Sequence, residues 1–316
     1  MIVATSRSAT TPLALETVPS RALGRGDVRV AVRAIGVNPV DWKMREGGPL
    51  RFAHFFLGPR GPLVVGVDFA GEVVEVGRDV TDLAVGARVV GGTDFSRKQL
   101  GSYADEVVVR PDQCAVLPDS VSFEDAACLP VAAVTPWISL TEHSKIGAGS
   151  KVLVLGASGG VGLFALALAR KLGAAAYGVC STRNAALVES HGAVAIDYTR
   201  GDALVAARAH GPFDLVVHMV GTATYPLRAC RQLLSPRGIV DLAVVRASDV
   251  WPIAFARQVT TVLGRPTRAR LTPLVDALSK RELAPIIEQR FPLADAERAH
   301  QLSRAGKVVG KLLLIP

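Results

Sequence analysis

The chain has 316 residues, of which 49% are hydrophobic, and it carries a formal net charge of +8 at pH 7. This length and apolar content can fill two hydrophobic cores. No apolar stretch reaches the length that spans a bilayer, and the N-terminus lacks a basic start followed by an apolar block, so we expect neither a membrane protein nor a signal peptide.

The first 118 residues are β-rich and contain few helical windows. Short Val-rich runs, of which 27–35 alternates apolar and polar residues, are separated by glycine turns, which is typical of a compact, barrel-like β domain. The segment 47–62 is apolar and loop-like, with Phe52, Phe55 and Phe56 close together, and it could be a packed loop or a flap over a substrate pocket. The predicted strands are 27–35, 64–76, 87–90 and 103–109.

From about residue 119 the pattern changes to alternating strands and helices, which indicates a parallel sheet. Six strands are predicted, and together they form a doubly wound sheet. Their ranges are 152–155, 175–180, 194–197, 213–217, 238–244 and 259–263, with helices at 163–172, 184–190, 202–210 and 225–234. Helices at 271–280 and 294–304 and a strand at 311–315 close the chain.

The first of these units contains a glycine-rich turn within KVLVLGASGGVGLFALALARKLG (151–173). A buried strand, a small-residue turn and a helix follow one another, which is the context that a dinucleotide fingerprint requires. The small residues allow the backbone to approach a pyrophosphate at the helix N-terminus. The predicted cofactor-binding residues are Ala157, Ser158, Gly159, Gly160, Val161 and Gly162.

The end of the second strand indicates which nicotinamide cofactor is used. A NAD-binding unit places a carboxylate there, roughly 20 residues past the glycines, to accept from the ribose 2′-hydroxyl. Residues 179–184 read VCSTRN and contain no carboxylate. We therefore predict that Ser181 and Arg183 bind the 2′-phosphate of NADPH through charge-assisted hydrogen bonds. The alternative is that Arg183 is a solvated residue of the first helical turn.

Cysteine spacing and charge limit the other possibilities. The four cysteines form no C-x-x-C pair and have no His at ligand spacing, which argues against disulfides and structural zinc and favours a reducing cytoplasm. The positive charge could attract an anionic cofactor or nucleic acid. The densest basic run, RPTRAR at 265–270, has no interleaved aromatic residues, so nucleic-acid binding is not expected.

Together these stretches carry a family resemblance that spans nearly the whole chain. The chain resembles the zinc-free medium-chain dehydrogenases/reductases of the quinone oxidoreductase type. The matching stretches are AIGVNPVDWKMREG (34–47), GVDFAGEVVEVGRDVTDLAVGARVVG (66–91), GSYADEVVV (101–109), SFEDAACLPVAAVTPW (122–137), the glycine turn, HGAVAIDY (191–198), FDLVVHMVG (213–221), RFPLADAERAH (290–300) and GKVVGKLLLIP (306–316).

The resemblance implies a GroES-like β-barrel catalytic domain formed by residues 1–118 and 266–316. A Rossmann NADPH-binding domain, residues 119–265, would be inserted between them, with the active site in the cleft. Zinc-dependent relatives have a metal-binding His where this chain has Val67, and they carry a four-cysteine lobe that is missing here. Metal-free chemistry is therefore expected, because no Lewis acid would polarise an alcohol oxygen.

The resemblance also assigns roles to individual residues. Asn38 and Asp41 would line the nicotinamide end, where Asn38 could donate a hydrogen bond and Asp41 would orient backbone or neighbouring side chains. Lys43 could be a proton donor or oxyanion partner, or its stem could simply pack. Thr135 would contact the cofactor or cap a helix. Tyr198 would flank the 2′-phosphate, and backbone near Leu242, Val244 and Leu263 would meet the carboxamide.

His218 stands where relatives commonly have Asp at the end of the fourth strand. A strand end faces the cofactor crevice in this fold, so the change could alter the ribose environment. A single His on an apolar strand is more often a core residue with satisfied hydrogen bonds.

The resemblance implies an NADPH-dependent reductase of a quinone or of an activated C=C bond in an enone, enal or enoyl thioester. One alternative is a reductase, even a reductive cyclase, of a larger conjugated natural-product intermediate. Another is an NADPH-bound sensor without turnover. A small-molecule substrate, a homodimer and a cytoplasmic location, with no membrane association, complete the expectations.

Overall fold

The structure is a computed structural model that describes residues 1–6, 11–46, 56, 58 and 62–316. Contacts divide the chain into two units, Met1–Val134 with Arg265–Pro316, and Thr135–Gly264. Residues 119–134, which the sequence pattern had assigned to the nucleotide domain, have their contacts in the first unit. The hypothetical flap at 47–62 lies largely outside the described residues.

Strands of the described chain are β1 (Ile2–Ser6), β2 (Ala14–Thr17), β3 (Val28–Val37), β4 (Leu63–Val64), β5 (Asp68–Val76), β6 (Arg88–Gly92), β7 (Glu106–Val109), β8 (Cys114–Val116), β9 (Lys151–Leu155), β10 (Ala175–Cys180), β11 (Val194–Asp197), β12 (Phe213–His218), β13 (Leu234–Leu242), β14 (Val259–Thr261), β15 (Ile287–Pro292) and β16 (Lys311–Ile315).

Helices are α1 (Pro39–Glu46), α2 (Phe123–Ala127), α3 (Val134–Trp137), α4 (Gly160–Lys171), α5 (Ala185–Ser190), α6 (Ala203–Arg208), α7 (Leu227–Arg231), α8 (Val250–Phe255), α9 (Arg268–Ser279) and α10 (Ala296–Arg304). A π-helical segment, Ile138–His143, continues α3. No helix in the described part of the chain is long and apolar enough to cross a membrane.

The first unit is built on a seven-stranded sheet in the order β15-β16-β3-β5-β6-β8, with β7 also paired to β3. The long strand β3 buries Val28, Val30 and Val32 on one face, as its alternating sequence predicts. The C-terminal strand β16 pairs antiparallel with β3. Both ends of the chain therefore form one unit, and a smaller sheet of order β2-β1-β4 belongs to it.

The second unit is a six-stranded sheet in the order β11-β10-β9-β12-β13-β14, and every neighbouring pair is parallel. This confirms the predicted doubly wound sheet. Strand β9 lies in the middle, and its residues 152–155 are completely buried, as expected for a strand covered on both faces. The carboxyl ends of all six strands lie along one edge of the sheet, which is where this fold binds ligands.

Several element bounds differ from the sequence prediction. The helix predicted at 225–234 is only Leu227–Arg231, since Pro226 adopts an extended conformation and β13 already begins at Leu234. Helix α8 was not predicted; it is apolar yet buries none of its residues, so it shows no amphipathic pattern. Strand β15 was also missed: its burial alternates, but its sequence IEQRFP has only two apolar side chains, Ile287 and Phe291, before Pro292.

Candidate active site

The glycine turn connects β9 to α4 and has the geometry of a phosphate-binding turn. Gly156 has a φ of +91°, and Gly159 is the N-cap of α4. A Cβ on Gly162 would lie 2.3 Å from the carbonyl oxygen of Gly156, so only glycine allows the helix to start this close to the turn.

The same turn leaves donors and space for an anion. The first hydrogen bond of α4 joins the N–H of Leu163 to the carbonyl oxygen of Gly159, at 2.9 Å. The N–H groups of residues 160–162 therefore have no partner within the helix and point out of its N-terminal end. A Cβ on Gly159 would meet only Gly156, at 3.6 Å. Ala157 instead is buried and donates its N–H to Val179. The turn therefore fits the pyrophosphate of a dinucleotide.

The turn after β10 carries the residues predicted to select NADPH. Ser181 caps a short 3₁₀ turn, Thr182–Asn184, and Arg183 is exposed on it. The amide of Asn184 donates to the hydroxyl of Ser158 at 2.9 Å, which ties this turn to the glycine turn. The two predicted parts of the nucleotide site are thus hydrogen-bonded neighbours.

A carboxylate that sequence reasoning did not consider lies beside this turn. Asp197, at the end of β11, accepts from Thr182 Oγ1 at 2.5 Å and from the N–H and hydroxyl of Thr199, and Arg200 lies 3.2 Å away. These hydrogen bonds, that from Thr182 first, lower the pKa of Asp197. Asp197 stays ionised, and its charge is offset by Arg200. Because it orients Thr182, it helps to shape the turn that carries Ser181 and Arg183.

The remaining predicted cofactor residues lie at or just beyond strand ends, or at the start of the unit. Tyr198 follows β11 and is 52% exposed, Leu242 ends β13 and is buried, and Val244 is half-buried. Leu263 follows β14 and is 68% exposed. Thr135 is the second residue of α3 and therefore does not cap it; Gly264 approaches its hydroxyl so closely that a Cβ there would be 2.4 Å away.

His218 ends β12 and is completely buried. Its Nε2 donates to the carbonyl oxygen of Tyr225 at 2.9 Å, which fixes the tautomer with the proton on Nε2. Burial lowers its pKa, so the ring is neutral. Its Nδ1 is buried and has no hydrogen-bond partner among the described residues, so only one of the two ring nitrogens is satisfied.

In the first unit, Asn38 and Asp41 lie at the start of α1, where Asn38 precedes Pro39. Oδ2 of Asp41 accepts the backbone N–H of Asn38 at 2.8 Å, which is one half of a capping box. The amide nitrogen of Asn38 donates to Asp68 Oδ2 at 2.9 Å and to the Gly36 oxygen at 3.3 Å. Both amide hydrogens of Asn38 therefore have acceptors within this unit.

The side chain of Asn38 is hydrogen-bonded to both members of a buried ion pair, Lys311 and Asp68, that was not predicted from the sequence. Lys311 Nζ, on β16, donates to Asn38 Oδ1 at 2.6 Å and lies 3.3 Å from Asp68 Oδ2. The N–H of Val131 donates to the other oxygen of Asp68 at 3.0 Å. Burial raises the pKa of Asp68, and Lys311 opposes this rise. The sequence contained one sign of this ion pair: Lys311 is the first residue of a strand that is otherwise apolar.

A second set of buried polar side chains runs from Asp41 to α10. Tyr103 donates its hydroxyl to Asp41 Oδ2 at 3.1 Å, and His300 Nε2 lies 3.0 Å from that hydroxyl. Arg45 lies 3.4 Å from His300 Nδ1 and forms a two-pronged ion pair with Glu297. We call Asp41, Tyr103, His300, Arg45 and Glu297 the buried chain.

Lys43, the third residue that the resemblance assigns to the acceptor end, packs against Trp42. It is half-buried, and its ammonium lies 5.4 Å from the centre of the Trp42 ring. Burial lowers its pKa. In the structure, therefore, the aliphatic stem of Lys43 is packed and its ammonium lies over an aromatic ring.

The residues do not fit a catalytic zinc at the position used by zinc-dependent relatives. The side chain of Val67 has no atom that could bind a metal; it lines a small pocket with Met44, Val64 and Phe95. The neighbouring Asp68 has both oxygens engaged by Val131, Asn38 and Lys311. No group of three or more His, Cys, Asp or Glu residues that could hold a metal occurs among the residues that the structure describes. Metal-free chemistry stays a prediction.

Family models match most of the chain. Residues 24–119 match the alcohol dehydrogenase GroES-like domain, and residues 191–314 match the family described as zinc-binding dehydrogenase. The first match confirms the predicted GroES-like β domain.

Individual proteins resemble the chain over most or part of its length. The chloroplastic quinone-oxidoreductase QR1 of Triphysaria versicolor is 30% identical over 95% of this chain and 92% of its own. The trans-enoyl reductase pgmF of Aspergillus terreus is 36% identical over 64% of this chain and 57% of its own.

A solved structure shows the same fold across the chain. The quinone oxidoreductase of Escherichia coli, in complex with NADPH, superposes with a TM-score of 0.82 over 100% of this chain and 99% of its own, at 25% identity. With the full-length similarity to QR1 and the two sheets described above, the chain belongs to the medium-chain dehydrogenase/reductase superfamily, among its quinone oxidoreductase-like proteins.

Proposed function

We propose that the protein is an NADPH-dependent reductase that transfers hydride, without a metal, to a quinone or to the activated C=C bond of an enone, enal or enoyl thioester. Family membership makes it an NAD(P)H-dependent oxidoreductase. The choice of NADPH as the cofactor is supported by two linked turns. The phosphate-binding turn is hydrogen-bonded to the turn of Ser181 and Arg183, and residues 181–184 contain no carboxylate. The NADPH complex of the Escherichia coli relative supports the cofactor, and pgmF supports C=C reduction.

The chain's own residues would divide the work. When bound, NADPH supplies the hydride from its nicotinamide ring. The turn of residues 157–162 would hold the pyrophosphate, Ser181, Arg183 and Tyr198 would hold the 2′-phosphate, and Thr135, Leu242, Val244 and Leu263 would orient the nicotinamide end. Asn38, Asp41 and Lys43 are the proposed residues that act on the acceptor, where oxygen develops negative charge.

Product analysis tests the class of acceptor. We would supply NADPH with an ortho-quinone, a para-quinone, a medium-chain enal, a cyclic enone and an enoyl thioester, and identify products by mass. Rapid turnover of one class supports the proposal. A product from a larger polyene with one more ring would favour the reductive cyclase, and NADPH binding without any turnover would favour a sensor.

Arg183→Ala is expected to raise KM for NADPH about 10- to 100-fold, because a charge-assisted hydrogen bond to phosphate contributes about 1.5–3 kcal/mol. KM for NADH, which lacks the 2′-phosphate, should stay within about twofold. Arg237→Ala, at an exposed position in β13, is the matched control. Equal losses with both cofactors would contradict the assignment of Arg183.

We also propose that the protein is a cytoplasmic homodimer. All four cysteines are free and buried, as suits a reducing compartment. Strand β14 is an edge of the six-stranded sheet, and next to it in sequence α8 exposes Trp251 and Phe255, at 71% and 74%, with stacked rings 5.3 Å apart. Exposed aromatic residues beside an open sheet edge are typical of a subunit interface.

A double substitution, Trp251→Glu with Phe255→Glu, is expected to convert the dimer to a monomer, since it places charges in an apolar contact. Light scattering after size-exclusion chromatography measures the mass. Val205→Glu, at a 64% exposed position on α6, should leave the dimer intact. A wild-type monomer at micromolar concentration would contradict this proposal.

A further inference from the structure

The donors and acceptors of the buried chain can be arranged in only one order. Arg45 can only donate, so His300 Nδ1, 3.4 Å from its guanidinium, accepts. The proton of His300 is then on Nε2 and is donated to the Tyr103 hydroxyl at 3.0 Å. The hydroxyl hydrogen of Tyr103 is left for Asp41 Oδ2, at 3.1 Å.

This order determines where Asp41 can carry a proton. Its Oδ2 already accepts from Tyr103 and from the backbone N–H of Asn38. A proton on Asp41 must therefore be on Oδ1. Oδ1 is buried and has no hydrogen-bond partner among the described residues. A proton on Oδ1 would therefore have no acceptor among the described residues and could be donated to a group that enters the site.

Burial, more than the nearby charges, favours the protonated form of Asp41. Lys311, on β16, is engaged by Asp68 and Asn38, and within the described residues no Lys or Arg forms an ion pair with Asp41. Burial raises the pKa of Asp41 to about 7, and Asp68 on β5 adds to the rise, whereas the Asn38 N–H, Lys311 and Tyr103 oppose it. His300, on α10, is neutral, since burial and Arg45 lower its pKa to about 3.

We propose that Tyr103 and His300 are positioning residues: through Oδ2 they fix the orientation of Asp41, so that its proton, when present, is on Oδ1 and Asp41 is then a neutral hydrogen-bond donor during reduction of the acceptor. This inference rests on the proposed function, which places Asp41 among the residues that act on the acceptor. A neutral donor is present below the pKa of Asp41 and lost above it, so kcat/KM should fall as the pH rises through about 7.

The first test needs no turnover. The ¹³C carboxyl signal of Asp41, identified by its loss in Asp41→Asn, is titrated by NMR. We expect a midpoint near neutral pH in the wild type and a higher midpoint in Tyr103→Phe, because the lost hydroxyl stabilises the carboxylate. His300→Leu should shift it less, in the same direction, and His300→Gln, which keeps an N–H donor, should restore it.

Tyr177→Phe is the matched control, since the ring of Tyr177 packs against Phe213 and His210 in the other unit. If Tyr103→Phe does not fold, His300→Leu and His300→Gln carry the test. A wild-type midpoint near 4, or a midpoint that moves in neither the Tyr103 nor the His300 variants, would overturn the positioning role.

The second test is the pH profile of kcat/KM with an accepted substrate. The pH at which kcat/KM falls should be higher in Tyr103→Phe than in the wild type, and it should shift together with the NMR midpoint. Asp41→Asn, whose amide also donates, should lose the limb and keep activity within about tenfold, whereas Asp41→Ala should lose far more. Equal loss in both Asp41 variants would overturn the donor role. If no acceptor is reduced, the proposed function fails, but the NMR titration still decides whether Asp41 titrates near neutral pH and whether Tyr103 and His300 act on it.

Discussion

Replacing Lys311 with methionine is expected to lower the free energy of unfolding at pH 7 by about 3–5 kcal/mol, the usual cost of removing one partner of a buried ion pair. The substitution keeps an apolar stem of similar length but removes the ammonium that contacts Asp68 and Asn38. Asp68 is completely buried, so its charge would lose its counterion without gaining water. The loss should shrink as the pH falls, since Asp68 can then be protonated.

Urea denaturation measures this effect, and two further variants make it specific. Adding Asp68→Asn to Lys311→Met should recover much of the lost stability, because the uncompensated charge is gone. Lys280→Met, which breaks the exposed pair with Asp276, should leave the stability nearly unchanged, because solvent screens that pair. A Lys311→Met protein as stable as the Lys280 variant would show that the buried pair is not held as described.

Two groups of the buried chain are expected to give opposite pH dependences of stability. The pKa of Asp41 rises from 3.8 to about 7, so its contribution is present below pH about 4 and is lost as the pH rises to 7. The pKa of His300 falls from 6.5 to about 3, so its contribution is present above pH 6.5 and is lost as the pH falls towards 3. Each amounts to roughly 4 kcal/mol. In the wild type the two slopes largely cancel between pH 4 and 6.5.

Single variants should separate these slopes. Relative to the wild type, Asp41→Asn should gain stability as the pH rises from 4.5 to 6.5, because only the His300 slope remains. His300→Gln should lose stability over the same range. Urea denaturation at three pH values measures both differences, each expected to approach about 1.4 kcal/mol per pH unit. Differences of the same sign in both variants would contradict the opposed titrations.

The second unit could be predicted from sequence because its signals are local. The apolar stretches 152–155 of β9 and 215–217 of β12 and the small residues of the glycine turn each lie within about ten residues. Helix α1 was not predicted, although Pro39 at its first turn and Asp41 three residues after Asn38 are helix-start signals. The π-helical segment after α3 has no sequence signature of its own.

The polar interior of the first unit could not be predicted, since its partners are far apart in sequence. Lys311 lies 243 residues from Asp68 and 273 from Asn38, and His300 lies 197 from Tyr103. The pairing of β3 with β5 and with β16, and the packing of α10 near α1, bring them together. Periodicity identifies buried faces, but it does not show which buried polar groups are neighbours.

The most direct test of the proposed function is the rate of cofactor oxidation with the best acceptor of the panel, measured with NADPH, NADH and NADPH deuterated at C4. We expect oxidation that depends on the acceptor, at least tenfold higher kcat/KM with NADPH than with NADH, and transfer of deuterium or a primary isotope effect with the labelled cofactor. Equal efficiency with the two cofactors would contradict the role of Ser181 and Arg183. Cofactor oxidation that is independent of the acceptor would contradict hydride transfer itself.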